Sequence, residues 1–254
     1  MILLPPNRTS LLFFSLKILS FSLIFLLATC KVERGETVSV NHVGALKDMM
    51  KKGDTSAKIS LASLSSRDNL YAIGAMAGLK GEIQVFDGKP MNSYAQGSEI
   101  GLDTSYNVEA TLLVYSWIDE WADYPIDPHI ISSSQLESYV RSEAINAGIN
   151  VDKPFPFLIE GKVKFLNWHV INWKEGDMDH SHERHITSGP HGRLNDVTAE
   201  VLGFYSKDHK GIFTHHTSNM HMHVNVPSKR IFGHVDDIEL IPGCILKLPS
   251  INPK

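Results

Sequence analysis

Cysteine is scarce in this chain. Cys30 and Cys244 are the only two among 254 residues, and neither belongs to a Cys-x-x-Cys pair, so thiolate metal sites and a disulfide framework have no basis. Clusters of basic residues are also missing. Lysines and arginines are scattered and the formal net charge is −4, which removes the electrostatic case for a nucleic-acid partner. No internal repeat is evident. Long apolar runs are absent save one, Ile18 to Ala28, which follows Arg8 and Lys17. It has the length of a signal-peptide apolar region and is too short for a membrane span. What remains is an ordinary globular composition, 43% hydrophobic and 20% charged, enough for one large domain or two intimate subdomains with a full-sized core.

The apolar run divides the chain into a signal segment, residues 1–30, and a mature domain, residues 31–254. Leu27-Ala28-Thr29-Cys30 resembles a lipoprotein cleavage box in which Cys30 becomes a lipid anchor. Thr29 departs from the usual Gly or Ala, so ordinary secretory cleavage and a retained N-terminal anchor stay open. Each reading places the protein outside the cytoplasm, as a periplasmic, membrane-anchored or secreted species. Cys244, between Gly243 and Ile245, reads as a small buried apolar residue.

Histidine is abundant: 13 residues, most of them after residue 165. The densest pattern is His221-Met222-His223, followed by Val224-Asn225-Val226, a Pro-Ser-Lys-Arg connection and Ile231-Phe232-Gly233-His234. Alternate residues of a strand share a face, so His221 and His223 point the same way. Pro227 and Ser228 turn the chain, and Ile231–Leu240 returns as an antiparallel partner that brings His234 beside the pair. Three imidazoles from two adjacent strands suit a zinc-like ion with an open coordination position, the layout of a catalytic site.

Strand signals dominate the rest and favour an α+β fold of mixed or antiparallel sheets with a few helices. Helices are expected over His42–Lys52, Ser60–Ser66 and Gln135–Ala147, the last capped by Ser132–Ser134, with Leu136, Tyr139, Val140, Ala144 and Ile145 inward. Tyr71–Ala77 and Glu82–Phe86 form a strand pair closed by Asp87-Gly88, and Ala110–Trp117 reads as a central strand. Met91–Val108 reads as a hairpin extension or loop, and Asp119–Ile131, with Pro125 and Pro128, as a loop. Phe155–Ile159 and Lys162–Ile171 are expected to form a hairpin about Glu160-Gly161 that displays His169. Trp173–Asn195, with His180, His182, His185 and His191, is a polar insertion that reads as a solvated loop, a lid or a second metal cluster. His215 and His216 are adjacent, so at most one of them faces the metal position.

The His-x-His, eleven further residues, Gly-His-Val pattern resembles the zinc motif of acetolactate decarboxylases. Gly81-Glu82-Ile83-Gln84-Val85-Phe86-Asp87-Gly88, Phe157-Leu-Ile-Glu-Gly161 and Val201-Leu-Gly203-Phe204 match that family's short motifs in the same order. The resemblance implies Zn²⁺ on His221, His223 and His234, Glu82 as the catalytic glutamate, a homodimer, and conversion of 2-acetolactate to acetoin and carbon dioxide. Three departures accompany it. His169 stands where the family carries an arginine that contacts substrate, Ala75 where it carries a threonine, and the family's C-terminal glutamate has no counterpart after Ile245–Leu248. The metal cradle is kept and the substrate shell altered.

The leading expectation is thus a decarboxylase of a 2-hydroxy-3-oxo acid, with Glu82 as proton donor and His169 assisting. A zinc hydrolase of an ester or lactone uses the same three histidines, since zinc lowers the pKa of bound water to about 7. A non-enzymatic, exported metal-binding protein accounts for the additional histidines.

Overall fold

The computed structural model describes residues 35, 37–177, 179 and 181–251. The segment expected to be a signal, residues 1–30 with Cys30, lies outside the described residues. Two antiparallel sheets carry the described residues. The first holds β1 (Asn41–Val43), β2 (Ile59–Ser60), β3 (Leu70–Met76), β4 (Glu82–Phe86), β5 (Lys89–Pro90), β6 (Asn92–Gln96), β7 (Glu99–Asp103) and β8 (Glu109–Trp117), in the order β1-β8-β3-β4-β6-β7. β2 pairs with β8, and β5 with β4. The second holds β9 (Trp121–Pro125), β10 (Phe155–His169), β11 (His191–Tyr205), β12 (Met220–Val226), β13 (Ile231–Leu240) and β14 (Ile245–Pro249). Within it β10, β11, β12 and β13 pair in a ring, β13 returning to β10. Helices are α1 (Leu46–Lys52), α2 (Ser133–Asn146) and α3 (His182–Ile186).

α2 forms for reasons visible in its first turn. The Ser132 hydroxyl accepts from the Gln135 amide, and the Gln135 side chain accepts from the Ser132 amide at 3.0 Å, a reciprocal cap of about 1 kcal/mol. Leu136, Val140 and Ala144 repeat every four residues and are buried in the core of the second sheet. Ile145, expected inward, is 47% exposed because it lies a third of a turn off that stripe. Gly148 follows with φ +81°, the left-handed stop that suits glycine.

Four local expectations are corrected. Phe155–His169 is one continuous strand, not a hairpin. Gly161 bends it (φ +149°) where a side chain would meet the Cα of Cys244 at 2.8 Å, and β11 is the partner throughout. The Pro125 segment is a strand at the sheet edge, where a proline removes no needed donor. The first helix starts at Leu46, because Asn41–Val43 pairs with β8. Ser60–Ser66 supplies only the short 3-10 turn Leu61–Leu64. Cys244 is buried as expected, its thiol on the Lys162 carbonyl at 3.2 Å.

Three links fasten the sheets where the site lies. The Gln84 side-chain amide donates to the Val224 carbonyl at 3.3 Å, joining β4 to β12. The Trp173 amide donates to the Leu79 carbonyl at 2.8 Å, and the Lys80 ammonium donates to the Trp173 carbonyl. On α2, the Glu137 carboxylate accepts from the Ser218 hydroxyl and from the Asn219 amide and side chain, at 2.6–2.9 Å. That fixes the chain just before β12 and so sets the register of the His-x-His strand.

Candidate metal centre

The hairpin register brings the histidines together. His234 of β13 is the direct cross-strand partner of His223 on β12 and, on its other side, of His169 on β10. Directly opposed residues share a face, so His223, His234 and His169 form a row across three strands, with His221 two positions from His223. Ring centroids are 5.0 Å apart for His221–His223 and His221–His234, and 5.4 Å for His223–His234. One ligand nitrogen from each of the three lies within 4.8 Å of the others. The Nε2 atoms of His221 and His223 are 3.2 Å apart. Two imidazoles sharing a tetrahedral ion at zinc–nitrogen bond length stand about 3.3 Å apart.

The electrostatics suit the same occupant. Burial pulls the His221 pKa down to about 3. Burial, together with neighbouring imidazoles, holds His223 and His234 well below the usual histidine range. All three are neutral near pH 7 and so have a lone pair to give. The Nε2 atoms of His221 and His223 face each other and are the pair that a common ion would take, while their Nδ1 atoms are buried without a hydrogen-bond partner among the described residues. The residues present fit a divalent ion of the zinc class.

Glu82 comes from the other sheet. Its Oε2 lies 3.8 Å from His223 Nε2 and its Oε1 3.9 Å from His169 Nε2, and Oε1 accepts from the Ile171 amide at 3.0 Å. Gly81, with φ +155°, leaves no space for a side chain beside the Ser93 carbonyl, which is why this strand start carries glycine. Burial raises the Glu82 pKa to about 7 against the opposing pull of His169 and the Ile171 amide. The Ile171 hydrogen bond fixes the direction in which the carboxyl points. Ala75, at the family's threonine position, is the cross-strand partner of Glu82 and lines the same cavity.

His169 is held from behind by a residue that the sequence reading did not single out. Its Nδ1–H donates to the Asp236 carboxylate, at 2.9 and 3.0 Å to the two oxygens. A register shift between the Asn167 and Trp168 pairings leaves Asp236 unpaired on β13, next to His169. Burial lowers the His169 pKa, but the Asp236 hydrogen bond and the charges of Asp236 and Glu82 outweigh it, leaving the value raised. The alternation His234, Val235, Asp236 was the available signal; the bulge was not readable.

A cavity of about 360 Å³ opens onto this cluster. Leu79, Leu112, Ile171, Phe213 and Met222 make much of its wall, and among the described residues no lysine or arginine lines it. At its rim stand His182 and His185 of α3, and His215. The polar insertion therefore reaches the site through α3. His180 lies outside the described residues, and His191, the first residue of β11, pairs directly with His169 of β10. Of the adjacent pair, His215 lines the cavity and His216 packs over Gly211.

No protein-family pattern and no curated protein matches this chain. Solved structures do. An alpha-acetolactate decarboxylase from Bacillus subtilis strain 168 superposes with a TM-score of 0.65 at 15% identity, covering 85% of this chain and 87% of that one. The acetolactate decarboxylase of Bacillus subtilis subspecies spizizenii gives 0.65 at 16% identity, over 84% and 86%. A Staphylococcus aureus protein of unknown function, described as similar to alpha-acetolactate decarboxylase, gives 0.65 at 15% identity over 84% of each chain. At these identities the likeness is one of fold, and the chain has the acetolactate-decarboxylase-like α+β architecture.

Proposed function

We propose that this protein is an exported, metal-dependent carbon–carbon lyase of the acetolactate decarboxylase type, acting on a 2-hydroxy-3-oxo acid, with His221, His223 and His234 as the zinc ligands. The observation that carries the reading is the Glu82 carboxyl, which is buried beside His223 and His169 and held there by the Ile171 amide. When bound, the ion supplies Lewis-acid charge toward the substrate's hydroxyl and carbonyl oxygens. In the reaction, the bond to the carboxylate carbon breaks, its electron pair moves toward the adjacent carbonyl, and carbon dioxide leaves. The carbon so freed needs one proton. Glu82, aimed by the Ile171 amide, is placed to deliver it, and water restores it afterwards. His169, fixed by Asp236, presents Nε2 to the same space and is the cationic donor available for the departing carboxylate. The apolar walls exclude water from the face that is protonated.

One observation favours a second reading. Among the described residues no lysine or arginine lines the cavity, so a substrate carboxylate finds imidazoles in place of a bidentate guanidinium. An uncharged ester or lactone needs no such partner, and hydrolysis would use Glu82 or His169 as base. The deciding measurement is acetoin and carbon dioxide release from racemic 2-acetolactate by the mature protein, before and after chelation and zinc restoration. Chelator-sensitive release well above a His221→Ala control supports the decarboxylase. A folded, zinc-loaded protein that leaves 2-acetolactate untouched but cleaves members of an ester and lactone panel is a hydrolase. Export, lipid attachment at Cys30 and a homodimer belong to the same proposal. Fractionation of cells, palmitate labelling of a Cys30→Ser variant and sedimentation of the mature protein test them.

A further inference from the structure

We propose that His182 and His215 form a second metal site at the mouth of the cavity, one that takes a divalent transition ion of the zinc, nickel or copper class and pins α3 over the three-histidine centre.

The two imidazoles come from segments separated in sequence, α3 and the stretch leading into β12, and meet with ring centroids 4.8 Å apart and planes tilted by 49°. Within the three-histidine centre His221 and His234 stand at 5.0 Å and 42°. The outer pair thus has a spacing and tilt that an ion can bridge, though His169 and His234 also stand at 4.8 Å and 47°, so the nitrogens left free and not the spacing alone point to a ligand. Both rings line the cavity that ends at the inner centre, so an ion between them is reachable from solvent and from the site.

Hydrogen bonding does not explain the approach. The His182 imidazole makes no hydrogen bond to the described residues. His215 uses Nδ1 toward the Thr217 hydroxyl at 3.0 Å, which leaves Nε2 to ligate and holds the ring as metal-bound imidazoles are held. Packing does not explain it either. Another close histidine pair, His42 with His209, is by contrast an aromatic cluster: both rings lie against Phe213, at 5.5 and 4.7 Å, and His209 is tied to Ser206 at 2.7 Å. His182 and His215 have no phenylalanine, tyrosine or tryptophan ring against them among the described residues.

Chemistry selects the ion. Two neutral nitrogen donors favour zinc, nickel or copper over magnesium or calcium, which want oxygen ligands. With two protein ligands the remaining positions go to solvent, so the outer ion binds more weakly and exchanges faster than one held by three buried histidines. The consequence is mechanical. α3 is five residues long, has no buried side chain and is closed by its own Ser181 cap, so a bridge to His215 adds a tie to the protein body.

The proposal does not depend on the reaction assigned above, and one experiment separates them. Zinc stoichiometry is measured by equilibrium dialysis and elemental analysis on the mature protein and on His182→Ala, His182→Gln, His215→Ala, His223→Ala and, as control, His209→Ala. The expected result is two ions per chain, the second at least tenfold weaker. His182→Ala, His182→Gln and His215→Ala each weaken the second ion tenfold or more and keep the first. His223→Ala loses the tight ion and keeps the weak one, and His209→Ala keeps both. Exchange of the amides of α3 slows when the second ion binds. A single ion that survives His182→Ala, or a second ion unaffected by both His182→Ala and His215→Ala, overturns the outer site. A single ion lost with His182→Ala overturns the three-histidine centre instead.

Discussion

Glu82 is buried with two imidazoles and one amide around it, and without a metal ion its ionised form is poorly compensated. Its pKa rises from 4.5 to about 7 for that reason, burial being the largest cause. The sign of the linkage follows. The folded state holds this proton more tightly than the unfolded chain, so the stabilisation is complete below pH 4.5 and is lost as pH rises to about 7. The full shift corresponds to about 3 kcal/mol. Glu82→Gln removes the titration and keeps an oxygen for the Ile171 amide. In chelator, the variant should therefore lose less stability than the wild type between pH 5 and 8, by up to about 3 kcal/mol in urea unfolding. Parallel pH curves for the two proteins would show that Glu82 is already ionised when the ion is removed. On zinc-loaded protein the same substitution should cut any decarboxylation by about 10²–10⁴-fold, the range for a lost general acid. At this scale the sequence was readable where spacing alone decides. His221, His223 and His234 follow from strand alternation and one turn. His169 beside His234 does not, because it requires β10 to lie on the far side of β13, and Asp236 requires a bulge.

Among the elements, β13 carries the most consequence, and the glycine of its Gly-His-Val motif has a physical role. A side chain at Gly233 would sit 2.5 Å from the His169 carbonyl oxygen, so the backbones of β10 and β13 pass too closely there for any other residue. Gly233→Ala must push β13 away at the point where His234 faces His169. The expected cost is about 1–3 kcal/mol of stability, together with at least a tenfold loss of zinc affinity. Gly192→Ala is the control, because a side chain there meets nothing nearer than 3.6 Å. Equal effects of the two on zinc affinity would remove the argument for close approach. Element boundaries were legible where local chemistry is strong. The Ser132–Gln135 cap announces α2, and the Pro227 turn announces the β12–β13 hairpin. Gly161 misleads because glycine marks both turns and bends; only the pairing of β10 with β11 across it distinguishes the two. Pro125 misleads because an edge strand tolerates a proline that a central one does not.

The described residues form two sheets that meet at a buried polar site. Histidines come from β12, β13 and β10 of one sheet and Glu82 from β4 of the other, while direct ties such as Gln84 to Val224 are few. Local signals placed the fold class, but the meeting of the sheets rests on contacts distant in sequence, which no local pattern encodes. An ion at the three histidines binds the folded chain and not the unfolded one, so it stabilises by mass action. At free zinc one hundred times its dissociation constant the gain is about 2.7 kcal/mol. For a chain of this size that raises the melting temperature by about 5–10 °C. The rise should reverse with chelator, vanish in His234→Ala and survive in His182→Ala, which loses only the outer ion. Differential scanning calorimetry of the three proteins, metal-free and at matched free zinc, measures it. A wild-type midpoint that does not move with zinc would mean that the histidine cluster does not hold the ion in the folded state. A rise retained in His234→Ala would assign the stabilising ion to other residues. The expected pattern leaves one explanation, an ion whose ligands exist together only when the ring of strands is closed.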